Sequence, residues 1–230
     1  NSVDLVVKPA VKDLNPDFEL LLESSKTELY VGEPFTLTLF LKQKANAQAV
    51  DSKFIKPDFK GFWIKSEEEA VRADDGEFII TKLVYTLAPQ RAGDLSVKPA
   101  ELKIAARVGI NNWGTLIPQV KWKAYFSNEI NVKAIPLPNN SKIIGDYVIN
   151  AVAEKTEVNP NEAVKLTLKI VGDGNLEDIE SFKPYVANVN VFDEEIVVKG
   201  DTLTQKLVFV GEQDFTIPAF SLEYFNPKTK

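Results

Sequence analysis

The chain has 230 residues, 44% hydrophobic and 26% charged, with 27 basic against 33 acidic side chains for a net charge of −6, and it contains no His, Cys or Met. Without His and Cys there is no Ser-His-Asp relay, no imidazole or thiolate metal ligand, no thiolate nucleophile, no iron–sulfur site and no disulfide. The acidic balance argues against nucleic acid or an anionic membrane surface as the main partner. The length admits one or two domains with real cores. No run reaches the roughly 18 apolar residues of a membrane helix. No signal-peptide core is present and the first residue is Asn, so the sequence is expected to be a processed or trimmed piece whose targeting and membrane segments lie outside it.

In chain order, Leu5 to Val11 reads as a tail or an edge strand, since Pro9 cannot donate to a central ladder. After the turn Val31-Gly32-Glu33-Pro34, apolar residues alternate with threonines from Phe35 to Leu39, the period of a half-buried strand. Lys60-Gly61-Phe62-Trp63-Ile64 is an aromatic knot. Trp63 is expected on an inner strand between two sheets, with a binding ridge as the alternative. Ser66 to Ala73 could form a turn or two of helix, the only such place. Leu83, Tyr85 and Leu87 alternate again, bounded by turns at Asp74-Asp75-Gly76 and Arg91-Ala92-Gly93-Asp94. Ile135-Pro136-Leu137-Pro138-Asn139-Asn140-Ser141 is a stiffened joint. Beyond it, Val164, Leu166, Leu168 and Ile170 alternate with polar residues, and Leu203, Leu207 and Phe209 follow the same period.

The two stretches are copies of one unit. Lys26-Thr27-Glu28 answers Lys155-Thr156-Glu157, Lys56-Pro57 answers Lys183-Pro184, Lys82-Leu83-Val84-Tyr85 answers Lys206-Leu207-Val208-Phe209, and Pro99-Ala100 answers Pro218-Ala219, at offsets of 129, 127, 124 and 119. Steadily falling offsets are expected when the same strands recur with shorter loops. Residues 1–137 carry 18 basic and 18 acidic side chains, and residues 138–230 carry 9 and 15, so the whole net charge sits on the second copy.

Short alternating strands with turns every 8–12 residues predict an all-β protein of two tandem immunoglobulin-like β-sandwich domains. The expected division is residues 1–137, with an inserted aromatic segment at 110–126, and a smaller acidic domain at 138–230. With no Cys staple, each sandwich must be held by apolar packing alone.

Several phrases then carry a resemblance. Ser25-Lys26-Thr27-Glu28-Leu29-Tyr30-Val31-Gly32-Glu33-Pro34-Phe35, Ser127-Asn128-Glu129-Ile130-Asn131-Val132 and Pro136-Leu137-Pro138 resemble the BatD, or oxygen-tolerance, family. So do Gly172-Asp173-Gly174-Asn175-Leu176, Ile217-Pro218-Ala219-Phe220 and Tyr224-Phe225-Asn226-Pro227. The resemblance implies Ig-like domains on the periplasmic side of the bacterial inner membrane, in a parent protein anchored by a membrane helix. It implies a non-enzymatic scaffold in a cell-envelope complex linked to oxygen or stress tolerance. Its partners would be other envelope proteins, von Willebrand A-domain proteins among them, with a MoxR-type ATPase encoded alongside. It carries no catalytic residue and no cofactor.

The candidate partner-binding residues are Trp113, Leu116, Ile117, Trp122 and Tyr125 of the aromatic segment, together with Trp63. Aromatics bury much area with few rotors and are favoured interface anchors. The competing reading makes Trp122 and Tyr125 core residues of two strands, because Gln119 to Lys123 and Glu129 to Lys133 both alternate. Two rivals stand beside a protein dock. One is a carbohydrate-binding sandwich stacking sugars on Trp63, Trp113 and Tyr125. The other is a hydrolase with two carboxylates about 5–10 Å apart in a cleft. Gly172-Asp173-Gly174-Asn175-Leu176-Glu177-Asp178 has the oxygen ligands for Ca²⁺ but not the EF-hand spacing, so a turn with both glycines at positive φ is the expected reading and no metal is assigned. The acidic runs Glu67-Glu68-Glu69 and Asp193-Glu194-Glu195 are expected to be solvated.

Overall fold

A computed structural model describes residues 16–112 and 115–229, with the side chains of 108–118 and 140 outside the description. Leu5 to Val11, Trp113 and the side chains of Leu116 and Ile117 lie outside the described residues.

The first copy opens with β1 (Phe18–Ser24), β2 (Glu28–Tyr30), β3 (Phe35–Lys44), β4 (Asp51–Ile55), β5 (Phe62–Glu67), β6 (Val71–Asp74) and β7 (Phe78–Pro89). It continues with β8 (Gly93–Val97), β9 (Glu101–Asn112), β10 (Thr115–Phe126) and β11 (Ile130–Ile135). One sheet runs β1-β3-β7-β5, with β6 also on β7. Two three-stranded sheets, β2-β11-β8 and β10-β9-β4, complete the layers. Residues 66–73 are strand and connector, not helix, because the backbone of β5 and β6 is held along β7.

Alternation explains the packing. On β3, Phe35, Leu37 and Leu39 are buried while Thr36 faces out, and Tyr85 and Leu87 of β7 meet them from the neighbouring strand. Fully burying one such side chain is worth about 1.5–3 kcal/mol. These residues join Leu20, Leu22, Leu29, Val97, Leu102, Ile104 and Val132 in one core, which replaces the missing Cys staple.

The second copy comprises β12 (Gly145–Ala153), β13 (Val164–Gly174), β14 (Val189–Asp193), β15 (Val197–Lys199) and β16 (Thr202–Gly211). Its sheet runs β12-β13-β16-β14 with β15 also on β16, the same path as β1-β3-β7-β5 with β6 on β7. The layer facing this sheet is made by segments without a ladder of their own, from which Leu176, Ile179, Phe182, Phe215, Ile217, Phe220 and Leu222 reach the two core clusters. All-β structure in tandem immunoglobulin-like sandwiches is therefore the observed fold class.

The duplication extends to hydrogen bonds. Glu33 N–H donates to Tyr30 O and Glu162 N–H to Asn159 O. The carboxylates reciprocate by accepting from Tyr30 N–H at 2.9 Å and Asn159 N–H at 3.2 Å. Gly32 (φ 79°) and Asn161 (φ 62°) occupy the position that demands positive φ. Glycine takes it freely and asparagine tolerates it. Ion pairs Lys26–Glu33 and Lys155–Glu162 close the turns, while Lys56–Glu67 and Lys183–Asp193 tie the Lys-Pro segments to β5 and β14.

One part of the expected repeat needs correction. Phe35 pairs with Leu87 and Val164 with Phe209, so β7 and β16 correspond at an offset of 122, not the 124 of the Lys-Leu-Val match. The slip is two residues, which preserves the inward face and leaves the alternation intact.

Candidate functional site

β9 and β10 pair from Glu101 with Phe126 to Asn112 with Thr115, so the aromatic segment is a long hairpin and not an irregular insertion. Alternation then separates its aromatics. Trp122 is 55% exposed and Phe126 61%, on the outer face with Val120. Tyr125, on the other face, leans into the core, its ring 5.5 Å from Phe18 and capped by the Lys123 ammonium at 4.9 Å. The competing core reading thus holds for Tyr125 and not for Trp122.

Across the ladder, Trp122 lies opposite Ala105 and Phe126 opposite Glu101, and β4 adds Asp51, Lys53 and the exposed Ile55 to the same face. On the strip's own face the three strands carry Lys53, Lys103 and Arg107 against Asp51 and Glu101, while Lys121 and Lys123 lie on the opposite face of β10 with Tyr125. The result is an apolar strip with a mixed charged rim.

Trp63 does not join this strip. It sits on β5, at the edge of its sheet opposite β1, whereas β10 lies against β1. Three strand spacings of roughly 4.8 Å intervene. Trp63 is 40% exposed, contrary to the expected position between sheets; its neighbour Phe62, at 4%, is the ring that points inward. The reason is register: Phe62 faces Pro89 and packs on Phe35, which turns Trp63 outward. Tyr125 and Trp63 therefore form no shared stacking platform for a sugar, and Trp113, the third ring of that reading, lies outside the described residues.

The other motifs are structural. Asn128 clasps Leu22, accepting from its N–H at 2.8 Å and donating to its carbonyl at 3.0 Å, while Ser127 Oγ accepts from Ala100 N–H at 2.9 Å. Asn175, 3% exposed, accepts from Ile144 N–H and donates to Lys142 O and Asp178 Oδ2. A Cβ on Gly172 would stand 2.0 Å from Asp146 O, and one on Gly174 would stand 2.1 Å from Ile144 O. Close backbone approach, not positive φ at both positions, is what Gly172 supplies; only Gly174 carries a positive φ, 155°. Among the described residues no cluster of three or more acids could hold a metal ion. The only hint of these roles in sequence was the motif itself; the backbone partners of Ser127, Asn175 and Asn128 are 27 to 106 residues away.

The same turn joins the copies. Tyr30 and Phe225 meet edge to face at 4.7 Å, Lys65 and Glu177 pair at 2.7 Å, and Gly32 leaves room for Ile144.

Hydrogen bonds from Lys98, Lys155 and Lys183 hold Glu129, Glu162 and Asp193 below the usual carboxylate range, Glu162 at about 2. Burial raises Glu177, but the Lys65 hydrogen bond, backbone bonding and the Lys65 charge together bring it below its ordinary value. The buried polar side chains Glu33, Ser127, Asn175 and Gln205 all have hydrogen-bond partners, a structural use.

Residues 22–134 match the family model described as the BatD DUF11 like domain. No curated protein matches the chain. Two solved structures are similar at low identity: the Escherichia coli adhesin FdeC, at 14% identity over 87% of this chain and 58% of that one with a TM-score of 0.22, and the Yersinia pseudotuberculosis adhesin InvE, at 12% identity over 83% and 51% with a TM-score of 0.22. This chain spans little more than half of either. The matched residues 22–134 contain most of the first core and all of β2 to β10, so it is the first copy that matches the BatD DUF11 like domain.

Proposed function

We propose that the chain is a non-enzymatic docking component of a bacterial cell-envelope complex concerned with oxygen or stress tolerance, acting on the periplasmic side of the inner membrane. The observation that carries this reading is the exposed strip of Val120, Trp122 and Phe126 on the outer face of the hairpin. Large apolar groups left in water beside a polar rim favour association with another protein. The rim of Lys53, Lys103 and Arg107 with Asp51 and Glu101 suits a partner whose contact face is apolar at its centre and carries charges of both signs around it. A von Willebrand A-domain protein encoded with the family is the partner we favour. The first copy docks. The second acts as a spacer, and the Tyr30–Phe225 and Lys65–Glu177 contacts hold it at a set angle.

The test is capture from detergent-solubilised membranes with this chain as bait, alongside a Trp122→Ala bait. Recovery of a von Willebrand A-domain protein by the first bait and its loss with the second is expected. Recovery of polysaccharide alone, or equal recovery by both baits, would defeat the proposal.

A further inference from the structure

The sheets of the two copies follow one path, yet their outer faces differ in charge. At the offset of 129 that matches β3 to β13, Glu19 and Glu23 of β1 stand where β12 has Val148 and Val152. Thr36 and Phe40 of β3 stand where β13 has Lys165 and Lys169. In the first copy, with its facing layer in place, this outer face stays open, and Leu21 is 44% exposed.

Glu19 and Glu23 are exposed, alternate with the buried Phe18, Leu20 and Leu22, and bracket Leu21. Among the described residues neither enters an ion pair or a side-chain hydrogen bond. Lys42 lies opposite Glu19, but its ammonium sits 3.7 Å over the Phe78 ring. On β13, Lys165 and Lys169 are exposed, alternate with the buried Leu166, Leu168 and Ile170, and bracket Thr167. They too are unpaired among the described residues. Their cross-strand neighbours are uncharged: Val208 beside Lys165, Asn150 and Thr204 beside Lys169. Acids at the margins of the sheet are taken, Glu194 by Lys206, and Asp146 and Asp173 by Lys228. Val152, 59% exposed, lies opposite Thr167.

Each pair of like charges spans four residues of one strand, about 13 Å. Along β1 the first face presents carboxylate, leucine, carboxylate. Along β13 the second presents ammonium, threonine beside valine, ammonium. Opposite charges at equal spacing around an apolar step set the register of two faces.

We propose that the outer face of the first copy docks on the outer face of the second copy in a neighbouring chain, β1 over β13, with Glu19 and Glu23 set against Lys165 and Lys169 and Leu21 seated on Thr167 and Val152. Both faces are exposed within the chain, so they do not meet inside it. The contact joins unlike surfaces, and chains add head to tail. It uses the side of the first sandwich opposite the docking strip, and it rests on neither that strip nor the partner proposed for it.

The test is sedimentation velocity of the full chain from about 10 to about 500 μM, in about 50 mM and about 500 mM salt. Weight-average mass should rise with concentration in low salt and fall back to that of one chain in high salt. Glu19→Lys with Glu23→Lys makes both faces basic, and Lys165→Glu with Lys169→Glu makes both acidic. Each variant alone is expected to remain a single chain. Their equimolar mixture is expected to associate as the native chain does, because each then offers the other an opposite face. Thermal unfolding shows whether each variant folds. Should a reversal unfold the chain, Glu19→Gln with Glu23→Gln keeps the shape, drops the charge and should weaken association several-fold. A native chain that stays single throughout, association indifferent to salt or to the Gln pair, or a mixture of folded variants that does not associate would each overturn the proposal. So would association that survives the reversals and is lost with Trp122→Ala, since that assigns it to the docking strip.

Discussion

Lys155 Nζ lies 2.6 Å from Glu162 Oε1, and Asn159 N–H binds the other oxygen of the same carboxylate. Lys26 and Glu33 repeat this arrangement 129 residues earlier. One carboxylate thus ties a strand start to a turn, in both copies.

That clasp has a pH signature. The Lys155 hydrogen bond, then those from Asn159, hold the Glu162 carboxyl at about 2 against an ordinary 4.5. A lowered folded-state pKa contributes stability that is present above the unfolded value and lost as pH falls through the folded one. The difference in stability between the native chain and Glu162→Gln is therefore expected to be constant above about pH 5 and to shrink between 4.5 and 2. Urea titrations of both proteins across that range check it. A difference that does not change with pH would show that the carboxylate is not the source.

Tyr85 is fully buried, and among the described residues its hydroxyl has no hydrogen-bond partner. Burial pushes its pKa up, and the nearby Glu67 charge adds to this. An orphaned buried hydroxyl costs roughly 1–3 kcal/mol of desolvation. Tyr85→Phe is accordingly expected to be neutral or to stabilise the protein by up to about 1 kcal/mol. A loss of more than about 1 kcal/mol in denaturant unfolding would reveal a partner for the hydroxyl in solution.

The glycine-rich turn makes an opposite demand. A Cβ at Gly172 meets Asp146 O at 2.0 Å, whereas one at Gly76 meets nothing. Gly172→Ala must therefore push β12 away from β13 and should cost roughly 3 kcal/mol or more. Gly76→Ala pays only for its φ of 88° and should cost about 1 kcal/mol. Thermal unfolding of the two variants ranks them; equal costs would mean that β12 gives way freely.

Much of this was legible in the sequence because a strand displays its two faces by alternation. Phe35, Leu37 and Leu39, and Val164 through Ile170, needed nothing further to be placed inward. Duplication was readable for the same reason, since Lys26-Thr27-Glu28 and its copy open the same turn. Alternation fails where aromatics sit side by side. Phe62 and Trp63 both look buried, and only the pairing of Phe62 with Pro89 settles which ring turns in. Trp122 and Tyr125 are three residues apart and so lie on opposite faces, a distinction that composition cannot supply. Asn128 and Asn175 were visible as motif letters, but a clasp on Leu22 or Ile144 depends on contacts far away in the chain.

The exposed strip gives a prediction on stability as well as on binding. A core tryptophan truncated to alanine costs about 3–5 kcal/mol. Trp122 stands 55% exposed on the outer face of an edge strand, so Trp122→Ala should cost less than about 1 kcal/mol. A core-sized loss in chemical denaturation would mean that the ring is covered in solution, for instance by self-association, and sedimentation would then show a species larger than one chain.

The last prediction concerns how the copies are held together. The Tyr30 and Phe225 rings meet at 4.7 Å, Phe225 N–H donates to Ile143 O at 2.9 Å, and Lys65 pairs with Glu177. An aromatic pair is worth about 0.5–1.5 kcal/mol beyond its buried area, while an ion pair as open to water as this one, with Glu177 54% exposed, adds at most about 1 kcal/mol. The rings should therefore dominate. Tyr30→Ala is expected to broaden the distance distribution between spin labels placed on β9 and β14, and Lys65→Ala to leave it nearly unchanged even in low salt. If Lys65→Ala loosens the pair as much as Tyr30→Ala, and added salt reproduces the effect in the native chain, the joint is electrostatic, and its angle responds to ionic strength instead of being set by packing.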